Sequence, residues 1–239
     1  REWCILQEMQ DHLDQNSPVA VAVEPSLRFQ ISHQILWKLL IMRDSNQFIF
    51  QCKTVTESDM EKLILVNEYD QEIGSELKED CHLGDGILHR AFSVFIFNEK
   101  KEVLIQQRSK EKMLWGQFWS NACCSHPHLG ESVEDAAHRR TKEELSLETK
   151  LNFLFKFQYQ EKFGNIGSEN ELCHVFIGAS NEMPNVDPNE IDDWKYLPID
   201  DLTQSIENNP DQFTPWLRIE WSKITGEYFG QVQRILETK

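Results

Sequence analysis

The chain has 239 residues, 40% of them hydrophobic and 27% charged, enough for one large domain or two small ones around a packed core. That composition excludes a disordered, collagen-like or disulfide-stapled miniature chain, and the strongest apolar run, residues 35–42, contains Lys38 and is far short of the roughly 20 residues of a membrane span. With 24 Lys and Arg against 40 Asp and Glu, the net charge of −16 excludes a general nucleic-acid or anionic-membrane binder, and an anionic small substrate would need a locally basic or metal-loaded site.

Residues 1–60 carry no chemical motif. Their patterning predicts a short helix over 2–13, a strand over 18–24, a helix over 31–42 and an extended segment over 47–55. They read as an extension for packing or dimerisation, with the oligomer, if any, formed through it. Residues 61–239 form the expected main domain. Strands are predicted at 62–67, 88–98, 103–107, 151–162 and 171–178, with turns at 68–71 and 98–102. The segment Leu88 to Asn98 is apolar on both faces and reads as a buried central strand. Helices are predicted at 132–147, 199–206 and 216–224, the first opened by Ser132 with Asp135 three residues later in a capping-box pattern. Strands and helices mix without regular βαβ repetition, so the class is α+β or a mixed-sheet α/β. The six cysteines are irregularly spaced and two are adjacent. They read as free thiols of a reducing compartment, which makes the cytoplasm the expected location.

Four constellations carry chemistry. Asn121-Ala-Cys-Cys-Ser-His-Pro127 holds two thiols and an imidazole in a short segment; the bland alternative is a buried loop with inert cysteines. His82 and His89 flank a glycine-containing loop and can converge on one metal, although the spacing is not a standard zinc pattern. Glu169 and Glu171, two apart in a strand, point to one face and repel unless a cation sits between them. Gly130-Glu131-Ser132 precedes a helix on which Arg140 and Glu144 are four apart; the alternative there is a helix salt bridge worth a few tenths of a kcal/mol.

That helix looks like a degenerate Nudix box, with Ser125 at the glycine position and Arg139-Arg140 where an Arg-Glu pair is usual. Together with His82, His89-Arg-Ala-Phe, the Cys-Cys-Ser-His segment and Glu169-Asn-Glu171, it resembles type I isopentenyl-diphosphate isomerase over roughly residues 62–225. The resemblance implies a Nudix-like α/β/α sandwich with a mixed sheet, behind the N-terminal extension. It implies one tightly bound divalent metal, manganese, magnesium or zinc, on His82, His89, His126, Glu169 and Glu171. It implies Cys124, not Cys123, and Glu171 as the proton-transfer pair, with Tyr159 assisting and Trp216 shielding a carbocation. It implies Lys78, Arg108, Lys112 and Arg140 as partners of a substrate diphosphate, and magnesium bridging that diphosphate to Glu144. The implied reaction interconverts isopentenyl and dimethylallyl diphosphate. A Nudix-type diphosphate hydrolase and a non-catalytic isoprenoid-diphosphate binder are the alternatives; the second carboxylate missing at Arg140 speaks against the first, and the intact Cys124 and Glu171 against the second.

Overall fold

A computed structural model of the chain describes residues 29–31, 35–44, 47–55 and 61–237. The chain divides into two units, Arg1–Met60 and Glu61–Lys239. In the first, β1 (Phe29–Ile31), β2 (Ile35–Asp44) and β3 (Gln47–Val55) form an antiparallel sheet in the order β1-β2-β3. The helix expected at 31–42 is therefore corrected to strand. An apolar run without a polar face satisfies either period, and a partner strand next in sequence, pairing from Leu36 with Val55 to Asp44 with Gln47, supplies the ladder that decides it. The extended segment at 47–55 stands. The helix at 2–13 and strand at 18–24 lie outside the described residues.

The second unit is built on a nine-stranded mixed sheet. β4 (Lys62–Val66) and β5 (Glu72–Leu77) make a hairpin, followed by the short α1 (Lys78–Cys81). The central β6 (His89–Phe97) is buried on both faces, as its apolar run requires. It runs parallel to β11 (Gly167–Ala179), which pairs antiparallel with β10 (Leu151–Phe163). Along its other edge β6 meets β4, β9 (Cys123–Ser125) and β7 (Glu102–Arg108) in succession. β7 continues the sheet to β8 (Trp119–Asn121) and β12 (Ile191–Pro198).

Alternation along β6 assigns the two layers. Phe92, Val94 and Ile96 pack with Ala136, Ala137 and Leu145 of α2 (Val133–Leu145). Phe95 and Phe97 pack with Leu202 of α3 (Ile199–Asn208), Leu217, Trp221 and Ile224 of α4 (Pro215–Gly226), and Val232 of α5 (Phe229–Glu237). A strand hydrophobic on both faces needs a helical layer on each, and the result is the α/β/α sandwich expected. Helix α2 starts as predicted: the Ser132 hydroxyl oxygen accepts from the Asp135 amide at 3.1 Å, satisfying one of the free N–H groups of the first turn. Among the described residues, no helix is long and apolar enough to cross a membrane.

Candidate active site

The sheet register brings the predicted residues together. His89 opens β6 and lies directly opposite Glu171 on β11, so both side chains rise from one face. On the other edge of β6, Cys124 of β9 lies opposite Ser93, which shares that face, while Cys123 lies opposite Val94 and faces α2. One peptide step thus separates the two thiols into different environments. Cys123 is a fully buried packing residue. Cys124 packs beside Ala91, Tyr159, Trp216 and Cys173. Both thiols are free, as are Cys81 and Cys173.

His82, His89, His126 and Glu171, all buried, place their ligand atoms within 4.8 Å of one another, and Glu169 Oε2 stands 3.0 Å from His82 Nε2. The tautomers follow from the backbone. His82 Nδ1 is 2.6 Å from the Lys78 carbonyl and His89 Nδ1 is 2.7 Å from the Ile87 carbonyl. A carbonyl only accepts, so each Nδ1 carries a proton and each Nε2 points inward. There His89 Nε2 meets His126 Nε2 at 3.2 Å and Glu171 Oε1 at 3.6 Å, and His126 Nε2 is 3.0 Å from Glu171 Oε1. These converging nitrogen and carboxylate atoms repel unless a proton or a metal ion sits among them, and backbone-anchored imidazoles are how proteins orient metal-bound histidines. Electrostatics agrees. Burial pushes His126 down to about 4, so it is neutral and able to ligate. Burial works against the His82 imidazolium, but the Glu169 carboxylate outweighs it and draws the pKa up, so positive charge is favoured at this point. Burial likewise opposes the Glu171 carboxylate, and contacts with His126 and His89 reverse this and hold it well below the usual range. This donor set, nitrogen and oxygen with five candidate groups, fits a divalent metal.

The remaining predicted residues surround this cluster. Tyr159 donates to Glu171 Oε2 at 2.6 Å, and its own pKa is pushed well up by burial. Burial pushes the Cys124 thiol up to about 12 although Arg108 pulls the other way, so Cys124 is protonated. Arg108 donates to Cys124 Sγ at 3.5 Å and stands 5.1 Å above the Trp216 ring. Trp216, in the first turn of α4 after Pro215, is fixed by donating its indole N–H to Ser120 and Asn121 at 3.0 and 3.1 Å and by an edge contact with Trp115. Its orientation is set by hydrogen bonds rather than by packing alone. On the α2 side, a polar cleft is lined by Lys78, His126, Arg140, Glu143 and Glu190 among others. Arg140 donates to Glu144 at 2.6 Å and to Glu190 at 2.9 Å, Lys112 also pairs with Glu190, and Lys78 pairs with Glu61 at 2.7 Å. The Glu144 side chain is only 3% exposed, so the Arg140–Glu144 pair is not the surface helix salt bridge of the bland reading.

Three groups escaped the sequence reading. Glu190 sits in an acidic stretch that reads as solvated, and nothing in the sequence pairs it with cations 50 and 78 residues away. Ser120 is the second, with the anchoring role of Asn121 at the head of the cysteine segment; the two fix Trp216, again without a local signal. Glu220 did have one: it falls in the stripe Trp216, Leu217, Trp221, Ile224, where only apolar residues belong. It is fully buried against Cys173, and burial pushes its carboxyl up to about 8.

The sandwich, its mixed sheet and the α2 segment define a Nudix domain, and the NUDIX domain model matches residues 87–217. A crystal structure from Deinococcus radiodurans superposes with a TM-score of 0.52 at 25% identity, covering 62% of this chain and 90% of that one. The MutT protein of Methanosarcina mazei shares the fold, with a TM-score of 0.50 at 14% identity over 59% of this chain and 95% of its own. Sequence similarity narrows the class. Isopentenyl-diphosphate Delta-isomerase 1 of Photorhabdus laumondii is 43% identical over 72% of this chain and 99% of its own length. The Isopentenyl-diphosphate Delta-isomerase of Pectobacterium atrosepticum is 40% identical over 68% and 90%, and the bovine Isopentenyl-diphosphate Delta-isomerase 1 is 36% identical over 73% and 87%. The chain belongs to the isopentenyl-diphosphate Delta-isomerase family of Nudix proteins.

Proposed function

We propose that this chain interconverts isopentenyl and dimethylallyl diphosphate through proton transfer by Cys124 and Glu171. One observation carries the reading: the two groups rise from strands on opposite edges of β6, toward the same face, above the small side chain of Ala91. A flat five-carbon alkene between them has a proton-transfer group on each side. A proton added to the terminal CH2 gives a tertiary cation, and loss of a proton from the CH2 adjacent to the cation on its diphosphate side restores a double bond one position along. No atoms are gained or lost. In the resting state Cys124 holds its proton and Glu171 lacks one, so an acid and a base are already present. A turnover exchanges their protonation, and reversibility lets each serve as acid in one direction and base in the other. Tyr159 supports Glu171 by hydrogen bonding to the oxygen that His126 does not contact. Trp216 and the surrounding apolar residues keep water from capturing the cation and offer it a π face.

Lys78, Arg108, Lys112 and Arg140 receive the diphosphate. His82, His89, His126, Glu169 and Glu171 would hold manganese, magnesium or zinc, which would supply fixed positive charge beside Glu171, and Glu144 would meet a magnesium ion that offsets phosphate charge. Arg140 stands where a hydrolase of this fold carries a metal-binding carboxylate, which favours isomerisation over hydrolysis. The free cysteines support a reducing, cytoplasmic setting, and the net charge of −16 supports a small-molecule partner over nucleic acid. Residues 1–60 remain the segment through which an oligomer would form. The test is proton NMR of isopentenyl diphosphate with the protein and magnesium in deuterated water. Dimethylallyl signals with deuterium incorporation and no released phosphate are expected; phosphate release without isomerisation would make the chain a hydrolase.

A further inference from the structure

We propose that Glu190 is a resident counter-anion of the diphosphate cleft, occupying Arg140 and Lys112 until the substrate's phosphate oxygens displace it. The inference rests on the diphosphate-site reading above and goes beyond it by assigning a role to a residue outside the predicted site. Glu190 uses both carboxylate oxygens on different cations: Oε1 accepts from Arg140 at 2.9 Å and Oε2 pairs with Lys112. Two oxygens bridging a guanidinium and an ammonium is how a diphosphate would engage the same pair.

The backbone fixes this placement. The Glu190 carbonyl accepts from the Ser109 amide at 2.9 Å, at the start of the loop that carries Lys112. The Glu144 carbonyl, on the helix that carries Arg140, accepts from the Asp187 amide at 2.9 Å, and Asp187 in turn accepts from the Glu190 amide at 3.0 Å. Glu190 is thus tied to both elements whose cations it neutralises. Glu61 stands in the same relation to Lys78 at the other wall of the cleft.

The cleft's charge explains why this matters. Of its lining residues Lys78, Arg139 and Arg140 are cations and Glu61, Glu143 and Glu190 are anions, so their charges cancel. A diphosphate entering such a cleft gains its contacts only by exchanging them for pairs already made. The cations stay oriented while the site is empty, at the cost of affinity.

The sign of the mutational effect separates this from a purely structural role. Glu190→Gln keeps the shape and one acceptor oxygen but removes the competing charge. Inorganic pyrophosphate, titrated calorimetrically without added magnesium, is expected to bind the variant about fivefold more tightly than wild type, the worth of one modest ion pair. Glu190→Ala, which removes the charge and both oxygens, is expected to tighten binding in the same direction and decides the matter if Glu190→Gln does not fold; Glu61→Gln, whose pair with Lys78 is more exposed, is expected to tighten binding about twofold. Unchanged or weaker binding in the decisive variant overturns the proposal and makes the carboxylate a scaffold for its cations. If wild type isomerises and binds pyrophosphate while the variant fails to tighten, only the role of Glu190 falls. If wild type does not bind pyrophosphate at all, the diphosphate-site reading falls and Glu190 with it.

Discussion

At one end of the site, His82 and His89 are held by backbone carbonyls; at the other, Lys78, Lys112 and Arg140 are held by the carboxylates of other side chains. The first arrangement is permanent, because a carbonyl within the fold cannot be exchanged for a ligand. It leaves Nε2 atoms aimed at a fixed point, which suits an ion that stays. The second is exchangeable, because a phosphate oxygen can replace a carboxylate oxygen like for like. It suits a diphosphate that must leave each turnover. Trp216 is fixed too, although by side chains, its indole anchored to the Ser120 hydroxyl and the Asn121 amide oxygen.

The comparison breaks most visibly at the imidazole end. His89→Ala removes a donor that no neighbour replaces. The variant is expected to bind manganese or zinc at least about 100-fold more weakly, since even partners behind the ligands are worth 10- to 100-fold. Metal content after dialysis against chelator checks this, and full retention would mean that the cluster is a hydrogen-bond network rather than a metal site. A smaller effect sharpens the apolar middle of the site. An ammonium diphosphate with positive nitrogen at the cationic carbon would mimic the proposed intermediate. Its inhibition constant is expected to rise about tenfold in Trp216→Leu and about threefold in Trp216→Phe, which keeps a π face. Equal inhibition of wild type and Trp216→Leu would reduce Trp216 to a core residue. Tightened pyrophosphate binding by Glu190→Gln and Glu61→Gln probes the charged end with the smallest shifts.

What could be read in the sequence followed physical range. The strand at 88–98, an apolar run closed by the turn at 98–102, and the helix at 132–147, with its cap, are specified locally, and the structure places them within two residues of expectation. The candidates His82, His89, His126, Glu169 and Glu171 stand out in the sequence because their chemical types are unusual together; the structure gathers four of them, with Glu169 beside His82, and only the β6–β11 register explains why His89 and Glu171 meet. The 31–42 segment misled because a short apolar run lacks a polar face, so its partner strand decided the matter. The short strands β8 and β9 were missed for the same reason, being three residues each and meaningful only in the sheet. Glu190 was invisible because its partners come from distant segments. Glu220 was readable as a carboxyl interrupting an apolar stripe.

The central claim is that the sheet's alternation makes one of two adjacent thiols chemical and the other structural. Isomerisation rates of Cys124→Ala and Cys123→Ala, measured side by side by NMR in deuterated water, test it most directly. The Cys124 variant should lose about 100-fold or more, as expected for a positioned proton-transfer group, and the Cys123 variant should stay within about threefold of wild type once both are shown to be folded. Full activity in Cys124→Ala, or a loss confined to Cys123→Ala, would contradict the assignment of faces on which the account stands.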